Sequence, residues 1–159
     1  MIMMMNHTRR LFLKGSLIAM SAITTGIFSL LKPLITFAAR NQPAFSAKTE
    51  ADAIAAIFPG EQITTSDAII IGVHDVVENG AVVPVEISTK LPAVETITIL
   101  VEKNPNPLIA NFNLSPECSG FIATRIKVAE PSDIIAVVRS NGKLFSTRKF
   151  VEVIAGGCG

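Results

Sequence analysis

Few residue types in this chain can do covalent chemistry. The best placed is Cys158, in Ile154-Ala155-Gly156-Gly157-Cys158-Gly159. Gly156, Gly157 and Gly159 flank the thiol with backbone that has no side chain to pack and loses the most freedom on ordering. The segment is therefore not expected to dock on its own domain. The five residues after Ile154 reach at most roughly 17 Å when extended. A carboxylate one residue from the sulfur disfavours the thiolate, and no helix N-terminus is in reach by sequence to favour it. These conditions describe a presented thiol of ordinary reactivity, a passive carrier on which other proteins act. Its glycines make an arm slim enough for a narrow cleft.

The other candidate groups are sparse. His7 lies in the leading segment, so His74 is the one histidine of the body, and His74-Asp75 reads as a turn pair before it reads as a general base for Cys158. No ligand spacing assembles a metal site, and no phosphate loop, Gly-x-Ser-x-Gly or dinucleotide fingerprint occurs, so no cofactor is expected. The second cysteine, Cys118 in Ser115-Pro116-Glu117-Cys118-Ser119-Gly120, reads as a small half-buried residue beside a turn. A Cys118–Cys158 disulfide is the plain reading of two cysteines, but a glycine-rich segment is a poor anchor for one. A transient or interchain bridge stays open. A thiol oxidoreductase would need an activated thiolate and a resolving cysteine, for which Cys118 is the sole candidate.

The opposite end carries an address. Thr8-Arg9-Arg10-Leu11-Phe12-Leu13-Lys14, followed by a modestly apolar run from Leu17 to Leu31, has the form of a twin-arginine export signal, with Arg9, Arg10 and Phe12 as its motif. That run has 15 residues, short of the ~20 that span a bilayer, although retention as an anchor is the alternative. Cleavage is expected after Ala38 or Ala39, which makes residues 1–39 the signal and the twin-arginine translocase a partner. The destination is the periplasm, where unpaired thiols are at risk. All 13 acidic residues lie at Glu50 or beyond, and ten of the 14 basic residues remain after cleavage, a net charge of −3. No basic stripe is present, which disfavours nucleic acid as a partner. The remaining chain of about 120 residues suits a single domain.

The elements that position Cys158 follow from periodicity. Residues 40–48 read as a flexible lead-in. Thr49 then caps one short helix over Glu50–Phe58, with Ile54, Ile57 and Phe58 on one face and Pro59-Gly60 as the stop; no second helix is expected. Strands are expected at 68–73, 81–89, 94–101, 108–114, 121–128, 133–139 and 144–154, the last two joined by a hairpin at Asn141-Gly142. Pro84 marks its strand as an edge or as bulged. Seven strands without alternating helices indicate an all-β, immunoglobulin-like antiparallel β-sandwich over 49–154, with 155–159 as the cysteine arm. The lack of tryptophan excludes an antibody-type core.

These residues carry a resemblance. The leader, Asn79-Gly80-Ala81-Val82-Val83-Pro84-Val85, Asn106-Pro107-Leu108-Ile109-Ala110-Asn111-Phe112, Thr124-Arg125-Ile126-Lys127 and Val151-Glu152-Val153-Ile154-Ala155-Gly156-Gly157-Cys158-Gly159 are similar to the SoxY family. SoxY is the sulfur-carrying subunit of the bacterial thiosulfate-oxidising Sox system. The family pattern ends in Gly-Gly-Cys-Gly-Gly, one glycine more than here.

The resemblance implies a carrier, not an enzyme, in which Cys158 holds thiosulfate-derived intermediates covalently. Its implied partners are a second β-sandwich subunit, SoxZ, a haem enzyme that couples thiosulfate to the thiol, and a hydrolase that releases sulfate. A sulfane dehydrogenase, or a transfer elsewhere, deals with the remaining sulfur. The rival readings are an exported protein-interaction module without covalent chemistry and a thiol oxidoreductase. The partner surface is expected on an edge strand near Val83–Ile87 or on an apolar sheet face.

Overall fold

Burial at a period of two marks the segment 83–87. The computed structural model describes residues 41–154. In it, Val83, Val85 and Ile87 are buried while the intervening Pro84 and Glu86 are exposed. The nine strands among the described residues are β1 (Ile63–Thr65), β2 (Ile69–Gly72), β3 (Val76–Val77), β4 (Val83–Thr89), β5 (Val94–Val101), β6 (Leu108–Asn113), β7 (Phe121–Ile126), β8 (Ser132–Ser140) and β9 (Lys143–Val153). They form a larger sheet in the order β1-β9-β8-β5-β6, with β3 also on β9, and a smaller sheet in the order β2-β4-β7. Ile97, Ile99, Ile134, Ala136 and Val151 of the larger sheet meet Ile69, Ile71, Val83, Val85 and Ile87 of the smaller one in a single core. Each of the valine and isoleucine side chains contributes about 1.5–3 kcal/mol by leaving water.

The larger sheet is covered on its outer face as well. Leu100, Leu108, Ile135, Val137 and Leu144 point outward and are closed over by Ala44, Ala53 and Phe58. Strands β5 and β8 are thus buried on both sides, which explains their near-continuous apolar runs. Two helices supply this cover, α1 (Gln42–Ser46) and α2 (Glu50–Ile57). Helix α2 is the expected one: the Thr49 hydroxyl accepts from the Asp52 amide at 3.1 Å.

Helix α1 corrects the expectation of a single helix and lies within the stretch expected as a flexible lead-in. Pro43 stands in its first turn, where a fixed φ costs nothing, and Asn41 both caps it and donates to the Ala56 carbonyl at 2.9 Å. Ala44 is fully buried. Contact with α2, which no local periodicity announces, holds this five-residue piece in place.

Beside them, Arg139 donates to both Glu61 carboxylate oxygens at 2.7 and 2.8 Å and lies 5.4 Å from the centre of the Phe58 ring. This hydrogen bonding holds the Glu61 carboxyl below the ordinary glutamate range. The folded value lies below the unfolded one, so the pair's stabilisation is present at higher pH and is lost as pH falls through that folded value.

All seven expected strands are present, with ends shifted by at most two residues. The additional strands are β1 and β3, of three and two residues, both parallel to β9 in an otherwise antiparallel sandwich. The hairpin is formed as expected: Asn141 and Gly142 have φ of 48° and 70°, as a type I′ turn requires. Strand β4 is central rather than an edge, yet β2 pairs with it only from Glu86 to Thr89. Pro84 therefore stands where β7 is the sole neighbour, so a missing amide is tolerated there.

Gly80 is required by close approach. A Cβ there would collide with the Val128 carbonyl oxygen and stand 3.0 Å from Val153 Cγ1, while Val128 N donates to Gly80 O at 2.7 Å. Gly80→Ala should lower stability by about 1–3 kcal/mol, because the obstacle is backbone and cannot rotate away. Urea unfolding monitored by circular dichroism checks this, and Gly142→Ala should cost less because its Cβ meets open space and only its φ is strained.

Candidate functional site: the root of the cysteine arm

Cys158 and its glycines Gly156, Gly157 and Gly159 lie outside the described residues, as do Arg9, Arg10 and Phe12 of the export motif. What the structure describes is the root from which the cysteine segment departs. Strand β9 has 11 residues, two more than β8, and its pairing with β8 ends at Ser132↔Val151. From Glu152 onward, β9's neighbour is β3, in the register Val76↔Glu152 and Val77↔Val153. Glu152 N donates to Asp75 O at 2.8 Å and Ile154 N to Val77 O at 3.0 Å. Just before them, Lys149 Nζ bonds the Val73 carbonyl at 2.8 Å and the Asp75 carboxylate at 2.9 Å.

Each backbone bond contributes about 1 kcal/mol, and the ion pair, being exposed, less. The anchorage by packing is firmer: Val77 and Val151 are buried, and Val153 packs against the inter-sheet core. The root is thus held up to Ile154, whose own side chain is 51% exposed.

The remaining sequence candidates separate. The Asp75 carboxylate pairs with Lys149 and not with its neighbour His74, which is exposed in a shallow depression lined by Gly72, Val73, Pro84 and Glu86. Among the described residues no three His, Cys, Asp or Glu side chains gather as metal ligands would. Cys118 is an exposed free thiol, not the half-buried residue expected. It sits in a turn, its amide bonded to Ser115 O at 2.9 Å and its sulfur 3.4 Å from Ser115 Oγ.

That turn occupies the end of the sandwich remote from the root. Thr89 N donates to Gly120 O at 2.8 Å, and a Cβ on Gly120 would meet Val94 Cγ2 at 3.1 Å. Val94 in turn pairs with Ser140, beside the turn where β9 begins. Along β9, Lys143 and Val153 are separated by roughly 33 Å. Neither β3 nor the Lys149–Asp75 contact was legible in the sequence, since a two-residue strand has no periodicity. The Gly80 motif, which packs against Val153, was the available hint.

With this geometry the chain was compared with known proteins. The family model described as "Sulfur oxidation protein SoxY" matches residues 54–158. Among solved structures, the sulfur carrier protein SoxY from Chlorobium limicola f. thiosulfatophilum superposes with a TM-score of 0.62 at 36% identity, covering 69% of this chain and 96% of that one. A superoxide reductase (neelaredoxin) from Ignicoccus hospitalis gives a TM-score of 0.49 at 17% identity, over 67% of this chain and 90% of that one, too slight a likeness to carry a functional reading. No curated protein matches the chain.

Cys158 stands four positions beyond Ile154, a covalent span of at most roughly 14 Å, less than half the length of β9. The two sulfurs of one chain should therefore not meet. Non-reducing mass spectrometry after mild oxidation is expected to show no intramolecular loss of two hydrogens, and any disulfide formed should join two chains.

Proposed function

The chain belongs to the SoxY family of sulfur oxidation proteins, and from that membership we propose that it is a periplasmic carrier whose Cys158 covalently holds thiosulfate-derived sulfur. The observation that carries this reading is a family match over residues 54–158, which begins within helix α2 and takes in the root and Cys158 itself. Support comes from the root, where β3 takes over the anchorage of β9 as its pairing with β8 ends, and the chain then leads to a cysteine among glycines. A fixed base with a slim segment beyond it suits a thiol that visits several enzymes.

The chemistry needs little from the chain. In the first step the Cys158 thiolate and thiosulfate form a sulfur–sulfur bond, giving Cys158–S–S–SO₃⁻, and two electrons pass to a haem-containing coupling enzyme. In the second, water attacks the sulfonate sulfur within a hydrolase, releasing sulfate and two protons and leaving Cys158–S–S⁻. The sulfane sulfur then goes to a dehydrogenase or to transfer. A SoxZ-like β-sandwich subunit is the proposed constant companion. The chain's own tasks are to attach the intermediate, present it and leave activation to its partners.

Intact mass spectrometry of the protein from the periplasm of thiosulfate-grown cells, without reductant, tests the reading. Wild type should carry reducible sulfur adducts and Cys158→Ser none. An unmodified wild type, or adducts confined to Cys118, would reduce the protein to an exported binding domain. Separately, replacing Arg9 and Arg10 together by lysine should retain the precursor in the cytoplasm, as cell fractionation would show. Undiminished periplasmic protein in that variant would contradict the twin-arginine route.

A further inference from the structure

Six large apolar side chains stand out as exposed among the described residues, and they fall at different places. Ile70 and Phe121 share one row with Ser88 on the outer face of the small sheet, at the end of the sandwich remote from the arm. Val82 lies just ahead of β4. The other three, Val76, Phe150 and Ile154, are 51%, 53% and 51% exposed and gather at the root.

Their common placement follows from the strands. On β9, Val151 and Val153 turn into the inter-sheet core, so Phe150, Glu152 and Ile154 face outward together. Val76 pairs with Glu152 in the parallel register and shares that face. This is the same outer face that the helices cover farther along, at Leu144. The cover ends near Arg148, which bonds Glu50 at the start of α2 and Asp133 of β8. Beyond Arg148, Phe150 and Glu152 stand exposed on this face, and among the described residues Glu152 makes no ion pair.

We propose that this collar of Val76, Phe150 and Ile154 around Glu152 is the docking surface for the enzyme that joins thiosulfate to Cys158. The inference rests on the carrier reading. The tether supplies the argument for the occupant. With at most roughly 14 Å between Ile154 and Cys158, an enzyme that encloses the sulfur in a cleft must bring the rim of that cleft against the root. The Ile70–Phe121 patch is too remote to be touched in the same act. The collar therefore calls for an apolar rim that buries Phe150 and Val76, with a lysine or arginine placed to meet Glu152.

The test is steady-state loading of Cys158 by the purified thiosulfate-coupling enzyme, with thiosulfate and oxidised cytochrome c taking the two electrons. The carriers are wild type, Phe150→Thr with Val76→Thr, Glu152→Lys, and Ile70→Thr with Phe121→Thr as the remote control. Threonine keeps the strand propensity of these exposed sites, and thermal unfolding verifies each fold. Both collar variants should raise the carrier KM about tenfold or more with kcat nearly unchanged, as loss of a docking anchor does. The remote variant should match wild type, and alkylation of Cys158 by a small maleimide should be equal in all four. Collar variants with the wild-type KM, beside a wild type that is loaded, overturn the docking surface alone. A wild type that is never loaded overturns the carrier reading and the collar with it.

Discussion

The ladder between β8 and β9 is the constraint on which the rest of the structure depends. Nine paired positions, from Ser140↔Lys143 to Ser132↔Val151, are registered by a two-residue turn that only left-handed backbone at Asn141 and Gly142 can make. Because side chains alternate strictly, a slip by one residue would exchange Val151 for Phe150 in the core and turn Leu144 away from the helices. The same slip would break the parallel pairings of β1 and β3, which use β9's other edge. The position of the root, and thus the origin of the cysteine segment, descends from one turn.

The two sheets are unequal partners. The larger one has a second hydrophobic layer outside it, built from Ala44, Ala53 and Phe58, so its central strands hold consecutive buried stretches at Ile97–Val101 and Ile134–Val138. The smaller one presents its outer face directly, with Glu86 and Arg125 exposed beside Pro84 and Ala123. Function follows this asymmetry. Strand β9, held by β8 along one edge and by the short β1 and β3 along the other, continues toward Cys158, and the helical cover stops short of it. A stiff base and an uncovered collar suit the proposed passage of this carrier from enzyme to enzyme.

Much of this was legible because it is periodic or punctuated. The seven main strands announce themselves by alternation or β-branched runs, α2 by its cap and its acidic first turn, and the hairpin by Asn141-Gly142. The misses share one cause. Helix α1 and strands β1 and β3 are five, three and two residues long, below the length at which any repeat is visible. They form because another element lies beside them: α2 beside α1, and the free edge of β9 beside β1 and β3. Cys118 was misjudged for a related reason, since the exposure of a turn depends on which strands surround it.

The sequence by itself determined the sandwich class, the identity of the cysteine on its glycine segment and the resemblance that led to the family. These depend on residue type and short-range spacing, which the linear chain contains in full. Only the tertiary structure decided that Cys118 stands at the far end of the body from the root. It also decided that Asp75 pairs with Lys149 rather than His74, and that Val76 joins Phe150 and Ile154 on one face. The last two relations connect residues more than 70 positions apart, and a chain acquires all three only when strand register and sheet packing fix where its segments lie.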